Sequence, residues 1–215
     1  MDVYEAIYSR RDVRSFRSDP IADDVLLRIL RAGHHAGSVG FMQPWNFIVV
    51  RSPEIRRRIV ESFTRENATA ATLFNGEKRQ LYDSLKLQGI LDSPLNLAVT
   101  CDRQRKGPHV LGRNTVMDTD LYSTCCAIQN LWLAARAEGV GVGWVSILNM
   151  DEVKAILGIP AEILLVAYLC VGYPVEFRDR PMLEEVGWET RTPLEDLVFD
   201  DNWNRPSRLF EAQSK

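Results

Sequence analysis

Three short stretches of the sequence bring together residue types that do chemistry. The first is Ser9-Arg10-Arg11-Asp12-Val13-Arg14. It places three guanidiniums within five residues beside one carboxylate. The planar arginine fork binds phosphate oxygens in pairs, so the stretch is a candidate phosphate site. A solvated basic turn has the same spacing. Asp12, set among arginines, is expected to ionise below the ordinary carboxylate range. The second stretch is Gly37-Ser38-Val39-Gly40-Phe41-Met42-Gln43-Pro44-Trp45-Asn46-Phe47. Its small residues let a ligand approach the backbone. Ser38, Gln43 and Asn46 suit the polar edge of a planar heteroaromatic ring. Asn46 interrupts an apolar strand, so its amide needs a partner if buried. A loop leading into an edge strand reads the same way. The third stretch is Gly139-Val140-Gly141-Val142-Gly143-Trp144-Val145-Ser146. A dinucleotide fingerprint follows a strand and opens a helix, whereas these glycines follow a helix and lie inside a strand. Glycine within a strand marks close approach of another backbone or of a flat ligand. Ser146, at the strand's end, would face that ligand.

Other chemistries lack their residues. There is no GxSxG, HExxH or GxxxxGK[ST] pattern. Cys101 and Cys170 fall in apolar strands, and the adjacent Cys125 and Cys126 cannot form a CxxC pair, so buried free thiols are expected. His34 and His35 diverge on a helix and His109 sits in a loop, so no metal site is expected. The formal net charge of −3 argues against nucleic-acid or anionic-membrane partners. The N-terminus lacks the pattern of a signal peptide and no apolar run spans a bilayer, which predicts a cytoplasmic protein.

The elements that must position these stretches alternate between helix and strand, as in a mixed layered fold. Helices are predicted over 2–9, 23–36 and from Pro53 through Phe63, more weakly over 66–91, then over 118–138 and 151–157. Asn149 with Glu152 reads as a capping box for the last of these. Strands are predicted over 45–50, 95–101, 140–146 and 163–172. The helix over 118–138 is apolar almost all round, which predicts burial at the centre. Residues 102–117 form a long polar loop, a length that is usually functional. Residues 173–215 contain no strong helix. Leu197-Val198-Phe199 suggests one added strand, and Trp188, Leu194 and Trp203 suggest a tail that wraps a surface.

Together the motifs resemble the nitroreductase-like flavoprotein family. The family opens with a helix and Ser-Arg-Arg-x-x-Arg, has a glycine-rich strand after a long central helix, and carries a C-terminal arginine, which Arg191-Thr192-Pro193-Leu194-Glu195 matches. The likeness runs over about residues 3–204. It is closest to the branch that fragments reduced flavin mononucleotide (FMN) with oxygen to 5,6-dimethylbenzimidazole, the lower ligand of vitamin B12, and erythrose 4-phosphate. The telling residue is Asp12, where ordinary nitroreductases carry serine. Asp120-Leu121-Tyr122-Ser123-Thr124 also fits the branch. The resemblance implies an α+β sandwich, a mixed and mainly antiparallel sheet with helices around it. It implies one FMN domain over residues 1–215, with residues 173–215 embracing the partner of an intertwined homodimer. Carried over by position, Arg10, Arg11, Arg14 and Arg191 hold the phosphate. Ser38, Pro44 and Asn46 line the ring and ribityl region, and Gly143 and Trp144 pack near the ring. Asp12 and Ser146 carry the chemistry. Residues 66–91 or 102–117 form a lid, and a separate flavin reductase supplies the reduced FMN. Two other readings share the scaffold: an NAD(P)H-dependent nitroreductase or quinone reductase, and a non-catalytic flavin-binding protein.

Overall fold

A computed structural model describes residues 1–213 of the chain. The apolar strands β2 (Leu95–Cys101) and β4 (Leu164–Gly172) lie at the centre of a four-stranded sheet ordered β1-β2-β4-β3. Strands β1 (Trp45–Val50) and β3 (Gly141–Val145) form its edges. All three ladders are antiparallel, with Trp45 opposite Cys101 and Gly143 opposite Cys170. The expected mixed character comes from an isolated parallel bridge between Asp12 and Val142, outside the ladders.

Side-chain alternation along the central strands builds a core on each face. Leu97, Val99, Leu169 and Val171 meet Ile29 of α2 (Asp23–His34) and Ile128 and Leu131 of α5 (Thr119–Ala137). Ala98, Tyr168 and Cys170 belong to the opposite core, with Ile59 and Phe63 of α3 (Pro53–Ala71) and Val153 of α6 (Met150–Leu157). Each large apolar side chain fully buried in this way contributes about 1.5–3 kcal/mol. Local chemistry sets the helix ends. Asp2 accepts from the Glu5 N–H at 2.8 Å to open α1 (Val3–Ser9), and Asn149 accepts from the Glu152 N–H at 3.0 Å to open α6. Gly158 closes α6 with φ of 66°.

Four expectations need correction. Residues 66–91 are not one helix: α3 ends at Ala71, α4 covers Gly76–Ser84, and 85–91 is irregular. Gly76 takes a φ of +57° just before the break closes, and Gly89 packs so tightly that an added Cβ would lie 2.7 Å from the Arg14 carbonyl oxygen. Helix α5 is not buried all round: Tyr122, Cys125, Cys126, Gln129 and Asn130 form an exposed stripe. For the same reason Cys125 and Cys126 are exposed thiols, while Cys101 and Cys170 are buried. Leu197-Val198-Phe199 is not a strand, since only Phe199 makes an isolated bridge, to Pro206.

The chain divides into two compact units, Met1–Asp179 and Arg180–Lys215. The second holds α7 (Met182–Glu185) and short 3-10 turns at Leu194–Asp196 and Arg208–Gln213. Within it Phe199 packs on Trp203, and Asp200 accepts from the Arg208 N–H. Among the described residues no helix is long and apolar enough to cross a membrane.

Candidate active site

The chain leaves α1 at Arg10 in extended conformation and lies along the free edge of β3. The Val13 N–H donates to the Val142 carbonyl at 3.0 Å. An extended segment alternates its side chains, and here the two sets part completely. The Arg10 guanidinium stacks over the Trp132 ring at 4.7 Å, and Trp132 lies 6.5 Å from Trp144 between ring centroids. Asp12 and Arg14 both engage the Trp144 backbone. Val13 points into the core. Arg11 turns away and donates to the carbonyls of Tyr8, Arg10 and Asp179, so it braces the turn.

The glycines of β3 exist for this segment. A Cβ at Gly143 would lie 2.0 Å from the Val13 carbonyl oxygen, and one at Gly141 would lie 2.9 Å from the Val13 side chain. Of the two meanings of glycine within a strand, close approach of another backbone is the one realised.

Asp12 is held on two sides. Its Oδ1 accepts from the Trp144 N–H at 2.9 Å, and its Oδ2 lies 2.5 Å from Arg14 Nη2. Arg14 Nη2 also donates to the Trp144 carbonyl at 2.6 Å. The expected lowering of the Asp12 pKa is overturned. Although 40% of the side chain stays accessible, the crowding protein desolvates the carboxylate and raises its pKa. Arg14, the Trp144 N–H and Arg10 pull the other way and do not cancel that effect. Ser146 follows β3 directly and is exposed, with its carbonyl accepting from the Leu148 N–H at 2.9 Å.

The second stretch stands elsewhere. Ser38 Oγ accepts from the Gln43 N–H at 3.1 Å, Pro44 is buried, and Asn46 Nδ2 donates to Thr100 Oγ1 at 3.0 Å. All three belong to the β1 edge, three strand spacings from β3, or about 14 Å. One chain therefore does not unite Ser38, Pro44 and Asn46 with Asp12, Gly143, Trp144 and Ser146. Gly40, with φ of +58°, is filled by the chain itself: a Cβ there would lie 2.5 Å from Val110. Arg191 is exposed in the second unit.

The sequence reading passed over several residues here. Trp132, read as core, forms the stacking platform for Arg10. Lys86 reaches Ser15 Oγ at 3.3 Å and pairs with Asp92, which lays residues 86–92 along the Arg14–Phe16 segment. Asp120 is fully buried against Arg113 at 2.7 Å and Arg103 at 3.1 Å, and this pins the 102–117 loop. Arg105 of that loop grips Asn46. Arg103, Arg105 and Arg113 showed in the sequence only as an excess of arginine in a polar loop, whereas Asp120 stood in a stretch already matched to the branch.

The site suits an anionic, partly aromatic ligand. Three of the four buried side-chain polar atoms without a hydrogen-bond partner among the described residues are Arg11 Nε, Arg14 Nε and Arg14 Nη1. Buried donors of this kind are destabilising unless something accepts from them. Trp132 lies under the Arg10 guanidinium, and the Trp144 carbonyl accepts from Arg14. Among the described residues no group of His, Cys, Asp and Glu is placed to hold a metal ion.

Comparison with known proteins agrees with this geometry. The model of the nitroreductase family matches residues 7–173. A 5,6-dimethylbenzimidazole synthase of Rhodospirillum rubrum is 47% identical over 193 residues, 89% of this chain and 92% of that protein. One from Rhodobacter capsulatus is 42% identical over 191 residues, again 89% and 92% of the two chains. Among solved structures, a BluB-like flavoprotein from Clostridium difficile 630 superposes with a TM-score of 0.71 at 20% identity, covering 94% of this chain and 100% of that one. Iodotyrosine deiodinase bound to FMN and 3-iodo-L-tyrosine superposes with a TM-score of 0.73 at 20% identity, covering 94% and 99%. An extended arginine segment on a glycine-bearing edge strand, a two-faced α+β sandwich and this extent of identity have one meaning: the chain belongs to the nitroreductase family, in the branch that contains the 5,6-dimethylbenzimidazole synthases.

Proposed function

We propose that this chain is an oxidoreductase that fragments reduced FMN with molecular oxygen, giving 5,6-dimethylbenzimidazole, the lower ligand of cobalamin, and erythrose 4-phosphate. The observation that carries this is 47% identity along nearly the whole chain to a protein of that name, with Asp12 fixed at the β3 edge. When bound, reduced FMN supplies the electrons that oxygen takes up and is itself consumed.

The chain's own residues divide the work. Arg10 and Arg14 offer positive charge to the phosphate and ring, Arg14 with two buried donor nitrogens that have no hydrogen-bond partner, and Arg191 is a further ligand of the phosphate. Arg11 holds the turn that aims them. Trp132 and Trp144 give the ring an apolar wall. Asp12 is the general base that removes a proton from the ribityl chain. Its raised pKa makes it a stronger base than an ordinary carboxylate. Ser146, exposed just beyond Trp144, donates a hydrogen bond at the reacting end.

We further propose a homodimer in which the partner subunit's Ser38, Pro44 and Asn46 close the site, and in which residues 173–215 reach across. Two observations support this. The two residue sets lie on opposite sheet edges of one chain, and α5 leaves Tyr122, Cys125 and Cys126 uncovered. Four free thiols suit a reducing compartment, the cytoplasm.

The reduced FMN comes from a separate reductase. The test supplies oxidised FMN, air and NAD(P)H, with and without an added flavin reductase. Product that depends on the reductase is expected. NAD(P)H oxidation by this protein alone, with FMN recovered intact, would instead identify an ordinary nitroreductase.

A further inference from the structure

Asn46 is the only amide side chain in β1, whose sequence is Trp-Asn-Phe-Ile-Val-Val. Its orientation is set by two neighbours. The amide oxygen accepts from Arg105 Nη2, and Nδ2 donates to Thr100 Oγ1 at 3.0 Å, Thr100 being directly opposite on β2. Arginine carries donors and no acceptor, so the oxygen must face Arg105 and the amide cannot turn over. What Asn46 has left to offer a ligand is its second N–H.

Arg105 is itself held firmly. Its Nη1 donates to the Gln43 carbonyl at 3.0 Å and to the Trp45 carbonyl at 2.9 Å, on either side of Pro44. Its Nε lies 3.6 Å from Asp102, whose N–H donates to the Pro44 carbonyl at 2.8 Å. The loop that carries Arg105 is tied down at its far end by Arg113 and Arg103 on the buried Asp120. One guanidinium thus joins the 102–117 loop, both carbonyls flanking Pro44 and the Asn46 amide.

We infer that Arg105 is a positioning residue for flavin: it locks the Asn46 amide so that an N–H meets an acceptor atom of the flavin, and so couples the 102–117 loop to flavin binding. This rests on the flavin reading above. Arg105 acts through Asn46, so its effect vanishes when Asn46 is absent.

A double-mutant cycle on the full chain tests this, with the dissociation constant of oxidised FMN read from quenching of flavin fluorescence. Arg105→Met is expected to weaken binding about tenfold with Asn46 present, the effect of one lost hydrogen bond, and by less than about twofold in an Asn46→Ala background. Equal losses in both backgrounds would overturn the inference and make Arg105 merely a loop anchor. Arg105→Lys keeps the charge but not the fork, and it replaces Arg105→Met if that chain fails to fold. It is expected to lose nearly as much as Arg105→Met, and full retention of binding by the lysine variant would overturn the inference. A second readout needs no ligand. The Asn46 side-chain amide protons, followed by nitrogen-15 NMR, should be protected from exchange in the parent and lose protection in Arg105→Met; unchanged protection would overturn the inference. Failure of the parent to bind FMN in either the oxidised or the reduced form would overturn both this inference and the functional reading, whereas binding with additive losses would overturn this one alone.

Discussion

The carboxylate of Asp12 is less favourable where it stands than in water, which suits the base proposed here. Burial raises its pKa, and Arg14, the Trp144 N–H and Arg10 only partly offset this. Between the ordinary carboxylate pKa and the raised folded value, the native chain holds a proton that the unfolded chain has released. Stability therefore falls as pH rises through that window. Two outcomes follow for Asp12→Asn. Thermal denaturation at pH 7 should show a melting temperature at or above the parent's, because the neutral amide escapes the desolvation cost. Product formation should fall about 100-fold or more, the scale of a lost general base, with FMN affinity within about threefold. As the proposed base, the same group should give the reaction its acid limb. The rate should rise with pH through a pKa above 3.8, and a pH–rate profile of Asp12→Asn should lack that limb. An unshifted limb in the variant would assign it to another group. The presence of Asp12 was plain in the sequence, but the direction of its pKa was not. Counting neighbouring arginines captures their attraction and omits the burial that the fold imposes.

At the scale of elements, the site is a backbone fitted against a backbone. The Arg10–Arg14 segment lies on β3 only because Gly143 has no side chain: a Cβ there would meet the Val13 carbonyl at 2.0 Å. Gly143→Ala should push the segment off the edge. Chemical denaturation should show a loss of about 3 kcal/mol, at the upper end for overpacking, and FMN binding should be lost with it. A stable variant that binds FMN normally would show that the segment tolerates displacement. The 102–117 loop depends in the same way on Asp120, fully buried between Arg103 and Arg113. Asp120→Asn leaves the buried Arg113 without its counter-charge, Arg103 keeping Asp118, and should cost about 3–5 kcal/mol, with faster proteolysis inside the loop. Strands were legible to within a residue or so, because apolar runs such as Leu95–Cys101 bounded by Pro94 have few other readings. Asn149 and Gly158 fixed α6 just as clearly. The irregular 85–91 stretch was not legible, since there Gly89 packs against the Arg14 backbone, a contact between segments far apart in the chain.

At the scale of the molecule, the sequence motifs divide between opposite sheet edges, Ser38, Pro44 and Asn46 on β1 and Asp12 to Ser146 on β3. No local pattern reveals this, because strand order is set by long-range pairing. Helix α5, read as apolar almost all round, likewise keeps Tyr122, Cys125 and Cys126 exposed. The homodimer proposed above would supply both the missing half-site and the missing cover. Sedimentation should show a dimer. Tyr122→Glu, which places a charge on the uncovered stripe of each copy, should give monomers that no longer bind FMN, while monomers that bind it as tightly as the parent would refute the shared site. The central claim has a more direct test. The purified protein is mixed with chemically reduced FMN in the absence of oxygen, air is admitted, and the small molecules are identified by mass spectrometry. The account predicts 5,6-dimethylbenzimidazole, formed in the parent and absent from Asp12→Asn. FMN recovered intact, with peroxide as the only product, would contradict it.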